Sequence, residues 1–158
     1  MHKVNKVAYT YNMKKKIIWI FSPLLIGIIT SLIFKSTTYK VIIKPPLSPP
    51  GIVFPIVWSI LYLLMGISFY LVSKDNYNKK TTKLFILQLI VNYLWPLLFF
   101  KLKLYVFSAL WIILLIYLVF KMIKDFLKYN KTAGYLQIPY FVWLLFALYL
   151  NIGVAFLN

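Results

Sequence analysis

The chain has 158 residues, of which 63% are hydrophobic and 20% aromatic, and its mean hydropathy is +0.84. Eighteen lysines against two aspartates give a net charge of +16, and the chain contains no glutamate, arginine or cysteine. A soluble globular domain holds about 45–50% apolar and about 25% charged residues, so the composition excludes that class, and it also excludes thiol, disulfide and most paired-carboxylate chemistry.

Five apolar stretches are long enough to cross a bilayer as helices, which takes about 20 residues. They cover residues 17–34, 53–72, 84–100, 104–123 and 135–157. The lysines lie in short clusters between these stretches, as in the loops of a multi-spanning membrane protein, and not on one soluble face as nucleic-acid binding requires. We therefore predict an all-α integral membrane bundle of five transmembrane helices at 17–158, a lysine-rich tail at 1–16, and no nucleic-acid partner.

The first stretch follows Lys14, Lys15 and Lys16, as in a secretory signal. It is longer than the apolar core of about 7–15 residues in such signals, and no small-residue cleavage motif follows it, so a cleaved signal is the less favoured alternative. Across the five spans, 13 lysines lie on the side of the N-terminus and 5 on the other. The positive-inside rule then predicts a cell-membrane protein with a cytoplasmic N-terminus and an extracytoplasmic C-terminus.

The loop between the first two spans contains four prolines in the six residues from Pro45 to Pro50. Such a run forbids a helix and favours stiff, extended backbone. The loop is therefore either a plain spacer or a rigid flap over the outer mouth of the bundle, and the flap would be formed by Lys44, Pro45, Pro49 and Pro50. Trp58, near the start of the second span, would lie just beneath it.

The third span places Gln88, Asn92 and Trp95 four and three residues apart, hence on one helical face. Polar residues at membrane depth either join helices by hydrogen bonds or mark a functional site. The stripe is therefore either an interhelical bonding surface or the wall of a cavity, with Asn92 as a polar contact for a ligand. Only residues 101–103 separate this span from the fourth, which predicts a tight turn.

The fifth span carries a second series of residues on one face, namely Tyr140, Trp143, Ala147, Leu150 and Asn151. Aromatic residues near span ends are typical of the membrane interface, which explains Trp19 and Tyr135. Trp143 lies about two turns inside the span and fits an interface poorly. An inward-facing indole and a lipid-facing indole are the two alternatives for this residue.

At these residues the sequence resembles the TspO/MBR family of tryptophan-rich sensory proteins and translocator proteins, whose animal members are also called peripheral benzodiazepine receptors. The resemblance covers nearly the whole chain after the N-terminal tail. It rests on Lys44-Pro45 and Pro49-Pro50 in the loop, Pro55 to Trp58, Leu61-Tyr62 and Met65-Gly66 in the second span, Gln88, Asn92, Trp95-Pro96 and Phe99-Phe100 in the third, and Pro139-Tyr140, Trp143, Phe146-Ala147 and Leu150-Asn151 in the fifth.

The resemblance implies a five-helix bundle, usually dimeric, with a pocket beneath the first loop that binds porphyrins, isoquinoline or benzodiazepine drugs and, in animals, cholesterol. Some bacterial members are reported to degrade protoporphyrin IX in light, and the two tryptophans assigned to that chemistry match Trp58 and Trp143. No metal or further cofactor is implied, since the porphyrin itself is ligand or substrate. The ligand-binding residues expected from the resemblance are Trp58, Asn92, Trp95, Tyr140, Trp143, Ala147, Leu150 and Asn151.

The chain departs from the family pattern at four positions. Leu47 and Ile52 replace aromatic residues of the first loop, Phe107 stands where animal members have a pocket tryptophan, and Trp111 stands where many members have an aspartate. These departures weaken any transfer of ligand preference, porphyrin degradation included.

Three functions follow as alternatives. The first is a porphyrin- or tetrapyrrole-binding protein in stress sensing or regulation, with light-dependent degradation of the ligand as an optional activity. The second is a transporter of porphyrins or other amphipathic ligands, although the spans carry no midplane charge or broken helix pair. The third is a membrane interaction scaffold that uses the lysine-rich tail and inner loops. Whether the protein is an enzyme stays open, because photochemistry at an indole needs no acid–base, thiol or metal centre.

Overall fold

The computed structural model describes the backbone of residues 2–34, 38–75 and 78–158, and the side chains of residues 17–34, 40–73 and 78–158. Its regular elements within these ranges are α1 (His2–Ile33), α2 (Thr38–Val41), α3 (Val53–Asp75), α4 (Lys79–Pro96), a π-helical turn (Leu97–Lys101), α5 (Tyr105–Tyr129), α6 (Lys131–Tyr135) and α7 (Ile138–Leu157). The segment predicted as a tail, residues 1–16, is helical from His2 onward and forms the first part of α1. The side chains of this segment lie outside the described residues.

Four helical stretches are long and apolar enough to cross a membrane: Val53–Ser73, Lys79–Lys101, Tyr105–Tyr129 and Lys131–Leu157. The described apolar part of α1, Ile17–Ile33, is shorter. The prediction of an all-α membrane bundle of five transmembrane helices is confirmed as a five-helix bundle, in which four helices are long and apolar enough to span the membrane, and the protein is an integral membrane protein.

The helices extend beyond the apolar stretches at one end of the bundle. Asn78 caps α4, its Oδ1 accepting a hydrogen bond from the Lys80 amide at 2.9 Å, and Asn130 caps α6 in the same way through the Ala133 amide at 3.0 Å. Capping satisfies amides that a helix start leaves unpaired, so α4 begins at Lys79 and not at residue 84. The length of an apolar stretch indicates only the part of a helix that lies in hydrocarbon. The helix itself continues through polar turns into the headgroup region.

The two ends of the bundle differ in charge. We call the end where α4 begins and α5 ends the basic end, and its described lysines are Lys79, Lys80, Lys83, Lys121, Lys124, Lys128 and Lys131. We call the opposite end, which carries the proline-rich loop, the loop end. Its described lysines are Lys40, Lys44, Lys101 and Lys103.

The half of the bundle nearer the basic end is filled by aromatic side chains. Phe69 of α3 and Phe85 of α4 stack in parallel with their ring centroids 4.1 Å apart, and Phe126 of α5 lies 6.5 and 6.3 Å from the two. All three are essentially inaccessible to solvent. Because large rings close this half, any internal space must lie towards the loop end.

Helices α1 and α3 approach closely at Gly66, where a Cβ atom would overlap the backbone carbonyl of Ile20. A backbone atom cannot move aside as a side-chain tip can. We therefore expect Gly66→Ala to lower the free energy of unfolding by about 1–3 kcal/mol, the usual cost of overpacking, as measured by unfolding in detergent. Gly51→Ala is the control, because Gly51 is exposed and has no positive φ. An equal effect of both substitutions would contradict the close approach.

Candidate functional site

A cavity of about 730 Å3 lies in the loop-end half of the bundle, and all five long helices and the proline-rich loop contribute to its wall. The wall is mainly apolar, and its charged members are Lys40 and Lys44. Across the described ranges, no three His, Cys, Asp or Glu side chains come together as metal ligands would. The residues predicted from the sequence that line the cavity are Lys44, Trp58, Asn92, Trp95, Trp143, Ala147, Leu150 and Asn151.

Four other predicted residues are not part of this wall. Tyr140 is completely buried and reaches the site only through the residues it bonds. Pro45, Pro49 and Pro50 belong to the loop that covers the cavity, but the loop residues in the wall itself are Lys44, Ser48 and Gly51. A direct ligand contact of these four residues stays a prediction.

Asn92 links three helices through a chain of hydrogen bonds. The Tyr62 hydroxyl donates to Asn92 Oδ1 at 2.7 Å, Asn92 Nδ2 donates to the Tyr140 hydroxyl at 2.8 Å, and that hydroxyl donates to Gln88 Oε1 at 3.1 Å. The stripe on α4 is thus an interhelical bonding surface at Gln88 and part of the cavity wall at Asn92. An amide has two donor hydrogens and two acceptor lone pairs, so Asn92 retains one of each for a ligand.

Asn151 holds α7 against α4 and α5. Its Oδ1 accepts from the Trp95 indole at 3.0 Å, and its Nδ2 donates to the Tyr105 carbonyl at 2.8 Å. The Ser108 hydroxyl lies 2.9 Å from both Asn151 Oδ1 and that same carbonyl, so its single proton serves one of them at a time. The arrangement fixes the indole plane of Trp95 in the cavity wall.

Trp58 and Trp143 bring indole rings from α3 and α7 to the same cavity. Trp58 packs on Tyr62 with centroids 5.4 Å apart and meets the edge of Tyr140 at 6.1 Å. Trp143 meets the edge of Phe54 at 6.0 Å. Its Nε1 is buried and has no hydrogen-bond partner within the described residues. An unpaired buried N–H is costly, and because this atom is inaccessible to solvent, a ligand acceptor would reach it only after the indole had moved.

Trp143 also faces the membrane side of the bundle. It lines a shallow apolar groove between α3 and α7, together with Val57, Ile60 and Val142 among others. Ile60 and Val142 are exposed on the outer surface. One indole therefore separates the cavity from a lipid-facing groove, and the two alternatives for Trp143, inward and lipid-facing, both describe part of its surface.

The proline-rich loop is fastened to α7. The Tyr149 hydroxyl donates to the Pro46 carbonyl at 2.8 Å, and the Asn158 amide pairs with the Ile43 backbone, accepting from its N–H at 2.9 Å and donating to its carbonyl at 3.0 Å. Gly153 lies directly against Pro45, where a Cβ atom would meet the proline ring at 2.5 Å. The loop is therefore held against α7, and its role as a flap over the mouth of the cavity stays a prediction.

We expect Asn158→Ala to loosen this loop. Losing two hydrogen bonds of about 1 kcal/mol each is expected to speed amide hydrogen exchange at Ile43, Lys44, Leu47 and Ser48 by roughly 5- to 30-fold. Leu157→Ala is the control, since Leu157 is the neighbouring residue and makes no hydrogen bond to the loop through its side chain. Unchanged exchange in the Asn158 variant would show that α7 does not hold the loop closed.

Sequence reasoning missed the α7 side of this attachment. The available signal was Tyr149 and Gly153, four residues apart on one helical face, one polar and one small, in an otherwise apolar helix. It did not indicate a partner, because the proline-rich loop lies more than 100 residues away in the chain.

The four departures from the family pattern lie outside the cavity wall. Leu47, Ile52 and Phe107 are exposed, with Leu47 83% accessible at a left-handed φ of 63°. Trp111 donates its indole N–H to the Val91 carbonyl at 2.7 Å and joins α5 to α4. An effect of these residues on ligand preference stays a prediction, and it would have to act indirectly.

The chain is similar in sequence to known proteins over most of its length. Residues 19–157 match the TspO/MBR family. The chain is 34% identical over 125 residues to the tryptophan-rich protein TspO of Chlorobaculum tepidum, covering 76% of this chain and 78% of that protein. It is 33% identical over 124 residues to the tryptophan-rich protein TspO of Archaeoglobus fulgidus, with 77% and 80% covered. It is 30% identical over 118 residues to the translocator protein of Ovis aries, with 72% and 70% covered.

Proposed function

The chain belongs to the TspO/MBR family of membrane proteins, and on that basis we propose that it binds a porphyrin or related tetrapyrrole in the cavity beneath the proline-rich loop. The observation that carries the proposal is the aromatic, mainly apolar cavity with lysines in its wall. Its volume of about 730 Å3 falls within the range of about 300–1,000 Å3 of ligand pockets.

The chemistry of the wall suits a flat macrocycle with anionic substituents. Indole rings offer large apolar faces for offset stacking, and Trp58, Trp95 and Trp143 supply three of them. Lys40 and Lys44 are exposed lysines in the part of the wall nearest the loop. Ammonium groups there would pair with propionate carboxylates through charge-assisted hydrogen bonds.

We extend the proposal to a stress-sensing or regulatory role, with light-dependent degradation as an activity of the bound ligand. In this reaction the light-excited porphyrin is the species that is oxidised, molecular oxygen is the oxidant that takes up its electrons, and the indoles of Trp58 and Trp143 are the redox-active groups of the wall. Among the described residues of the wall there is no carboxylate, and this chemistry needs none.

Titration of the purified protein with protoporphyrin IX tests the proposal. Saturable changes in Soret absorbance and tryptophan fluorescence are the expected result, with tighter binding of protoporphyrin IX than of its dimethyl ester, since esterification removes the carboxylates that the lysines would bind. Non-saturable uptake, equal to that of empty detergent micelles, would refute binding. Illuminating the complex and finding porphyrin loss no faster than in detergent alone would refute the photochemical extension.

Transport of an amphipathic ligand is the second candidate, and one observation favours it. Displacement of the Trp143 indole would join the cavity to the lipid-facing groove. Against passage through the bundle, Phe69, Phe85 and Phe126 fill the half between the cavity and the basic end. Porphyrin flux into vesicles containing the protein, compared with empty vesicles, separates the two functions.

We also propose a cytoplasmic N-terminus and a homodimer. The 13 to 5 distribution of lysines supports the orientation. Because the chain has no cysteine, Lys131→Cys at the basic end and Lys103→Cys at the loop end can each be labelled singly in intact cells. An impermeant maleimide is expected to label only Lys103→Cys, and the reverse result would invert the topology. Cross-linking in membranes tests the dimer.

A further inference from the structure

Two lysines on the outer face of α5 are folded onto aromatic rings. Lys121 Nζ lies 4.5 Å from the centroid of Tyr117, and Lys124 Nζ lies 4.7 Å from the centroid of Phe120. Tyr117 and Phe120 are 52% and 46% exposed. The spacing of three and four residues puts all four side chains on one face of the helix, so the two lysines are neighbours about one turn apart on the outer surface of α5.

The depth of this pair is unusual for an exposed charge. At a rise of about 1.5 Å per residue, Lys121 lies roughly 24 Å along α5 from Tyr105 and Lys124 roughly 28 Å. The hydrocarbon core is about 30 Å thick, and helical side chains tilt towards the N-terminus, which here points into the membrane. The ammonium groups therefore lie at the boundary between hydrocarbon and headgroups, facing lipid.

The surrounding side chains do not neutralise these charges. Among those that the structure describes, the one ion pair is Lys128 with Asp125, 3.9 Å apart, and the Asp125 carboxylate also accepts a hydrogen bond from Thr81. A charge near hydrocarbon requires a partner. The rings supply part of the stabilisation through cation–π contact, and they also hold the ammonium groups in position for an external anion.

An apolar strip continues from the lysines towards the middle of the bilayer. Leu110, Ile113 and Leu114 lie on the same face of α5 and are 59%, 49% and 42% exposed. Phe120 extends the strip sideways to Phe141 of α7, with ring centroids 6.1 Å apart. The surface thus combines a paired positive charge at headgroup depth with an apolar bed beside it.

We propose that Lys121 and Lys124 form a binding site for one anionic phospholipid of the leaflet at the basic end. The lipid phosphate lies between the two ammonium groups, and an acyl chain lies along the strip from Phe120 to Leu110. Charge complementarity selects an anionic headgroup over a zwitterionic one, since the quaternary ammonium of the latter would meet the lysines. The site is separate from the cavity, and the proposal does not rest on porphyrin binding.

Native mass spectrometry of the purified protein, titrated with phosphatidylglycerol or phosphatidylcholine, tests the site. The expected result is one tightly retained phosphatidylglycerol and much weaker retention of phosphatidylcholine. Each lysine near a headgroup contributes roughly fivefold to anionic-lipid affinity, so Lys121→Gln/Lys124→Gln is expected to lose about 30-fold. Wild-type protein that shows no preference between the two lipids would overturn the proposal.

Lys79→Gln/Lys80→Gln is the matched control, because it removes the same charge from exposed residues at the same end of the bundle. We expect it to change phosphatidylglycerol retention by less than about threefold. If both double variants lose phosphatidylglycerol retention equally, the retention depends on general surface charge and not on a site at Lys121 and Lys124, and the proposal is overturned. Lys121→Arg/Lys124→Arg keeps both charges and is expected to retain the lipid, and a loss there would also contradict the proposal. Unfolding midpoints of all variants confirm that each is folded.

Discussion

Replacing Asn151 with leucine, which has a similar volume, is expected to lower the free energy of unfolding by about 2 kcal/mol. The substitution removes the acceptor of the Trp95 indole and the donor to the Tyr105 carbonyl. Side-chain hydrogen bonds in membrane proteins contribute about 0.6 kcal/mol each on average and up to about 1.7 kcal/mol. Asn151 is 1% exposed, so water does not replace its bonds.

A double-mutant cycle assigns this loss to the contact between α4 and α7. Trp95→Phe removes the indole N–H that donates to Asn151. In a chain that already carries Asn151→Leu, this hydrogen bond is absent, so Trp95→Phe costs less there than in the wild type. Unfolding in detergent is therefore expected to show that the double variant is less destabilised than the sum of the single variants, with a coupling of about 1 kcal/mol. Additive effects would show that Asn151 acts through packing and not through the hydrogen bond.

The second large effect is expected on ligand affinity. In Trp58→Phe/Trp143→Phe, the rings that remain are smaller and offer less apolar surface to a flat ligand in the cavity. Because an aromatic pair contributes about 0.5–1.5 kcal/mol beyond its buried area, we expect protoporphyrin IX affinity to fall about tenfold or more, as measured by Soret titration. We also expect light-dependent loss of the bound ligand to slow by a larger factor, since two of the three indoles in the cavity wall are absent and only that of Trp95 remains.

Trp19→Phe/Trp111→Phe is the control for that experiment. It removes the same number of indoles from positions outside the cavity wall, where Trp19 packs on Phe69 at 4.8 Å and Trp111 bonds to the Val91 carbonyl. Its affinity per folded molecule is expected to stay within about twofold of the wild type. If both double variants bind equally well, Trp58 and Trp143 do not form the binding site.

The helices and their membrane location followed from the sequence because the bilayer imposes a length on every apolar stretch. Boundaries were less well determined. The polar turn from Lys79 to Lys83 was not assigned to a helix, since it carries no apolar signal, yet capping by Asn78 extends α4 through it. The fifth stretch, expected as one helix over 135–157, contains the end of α6 and all of α7, with Pro139 in the first turn of α7.

The candidate site was likewise predictable from the sequence only in part. Helical spacing placed Asn92 and Trp95 on one face and Trp143 and Asn151 on another, and the structure brings these faces to one cavity. The same spacing also included Tyr140, which lies behind the wall. Periodicity identifies a face, but it carries no information on how deep in the bundle each residue lies or whether it meets a neighbour or a cavity.

By itself, the sequence determined a bundle of five membrane helices, because hydrocarbon thickness and residue spacing act locally along the chain. Its motifs also resembled the TspO/MBR family, and the match over residues 19–157 shows that family. Only the tertiary structure decided that Asn158 and Tyr149 hold the proline-rich loop, that Trp143 divides the cavity from the outer groove, and that the ammonium groups of Lys121 and Lys124 lie over aromatic rings. Each of these features depends on which side chains stand at the same height on neighbouring helices or on the outer surface. That height is set by the packing of the whole bundle, with its close approach at Gly66 and its aromatic filling at the basic end.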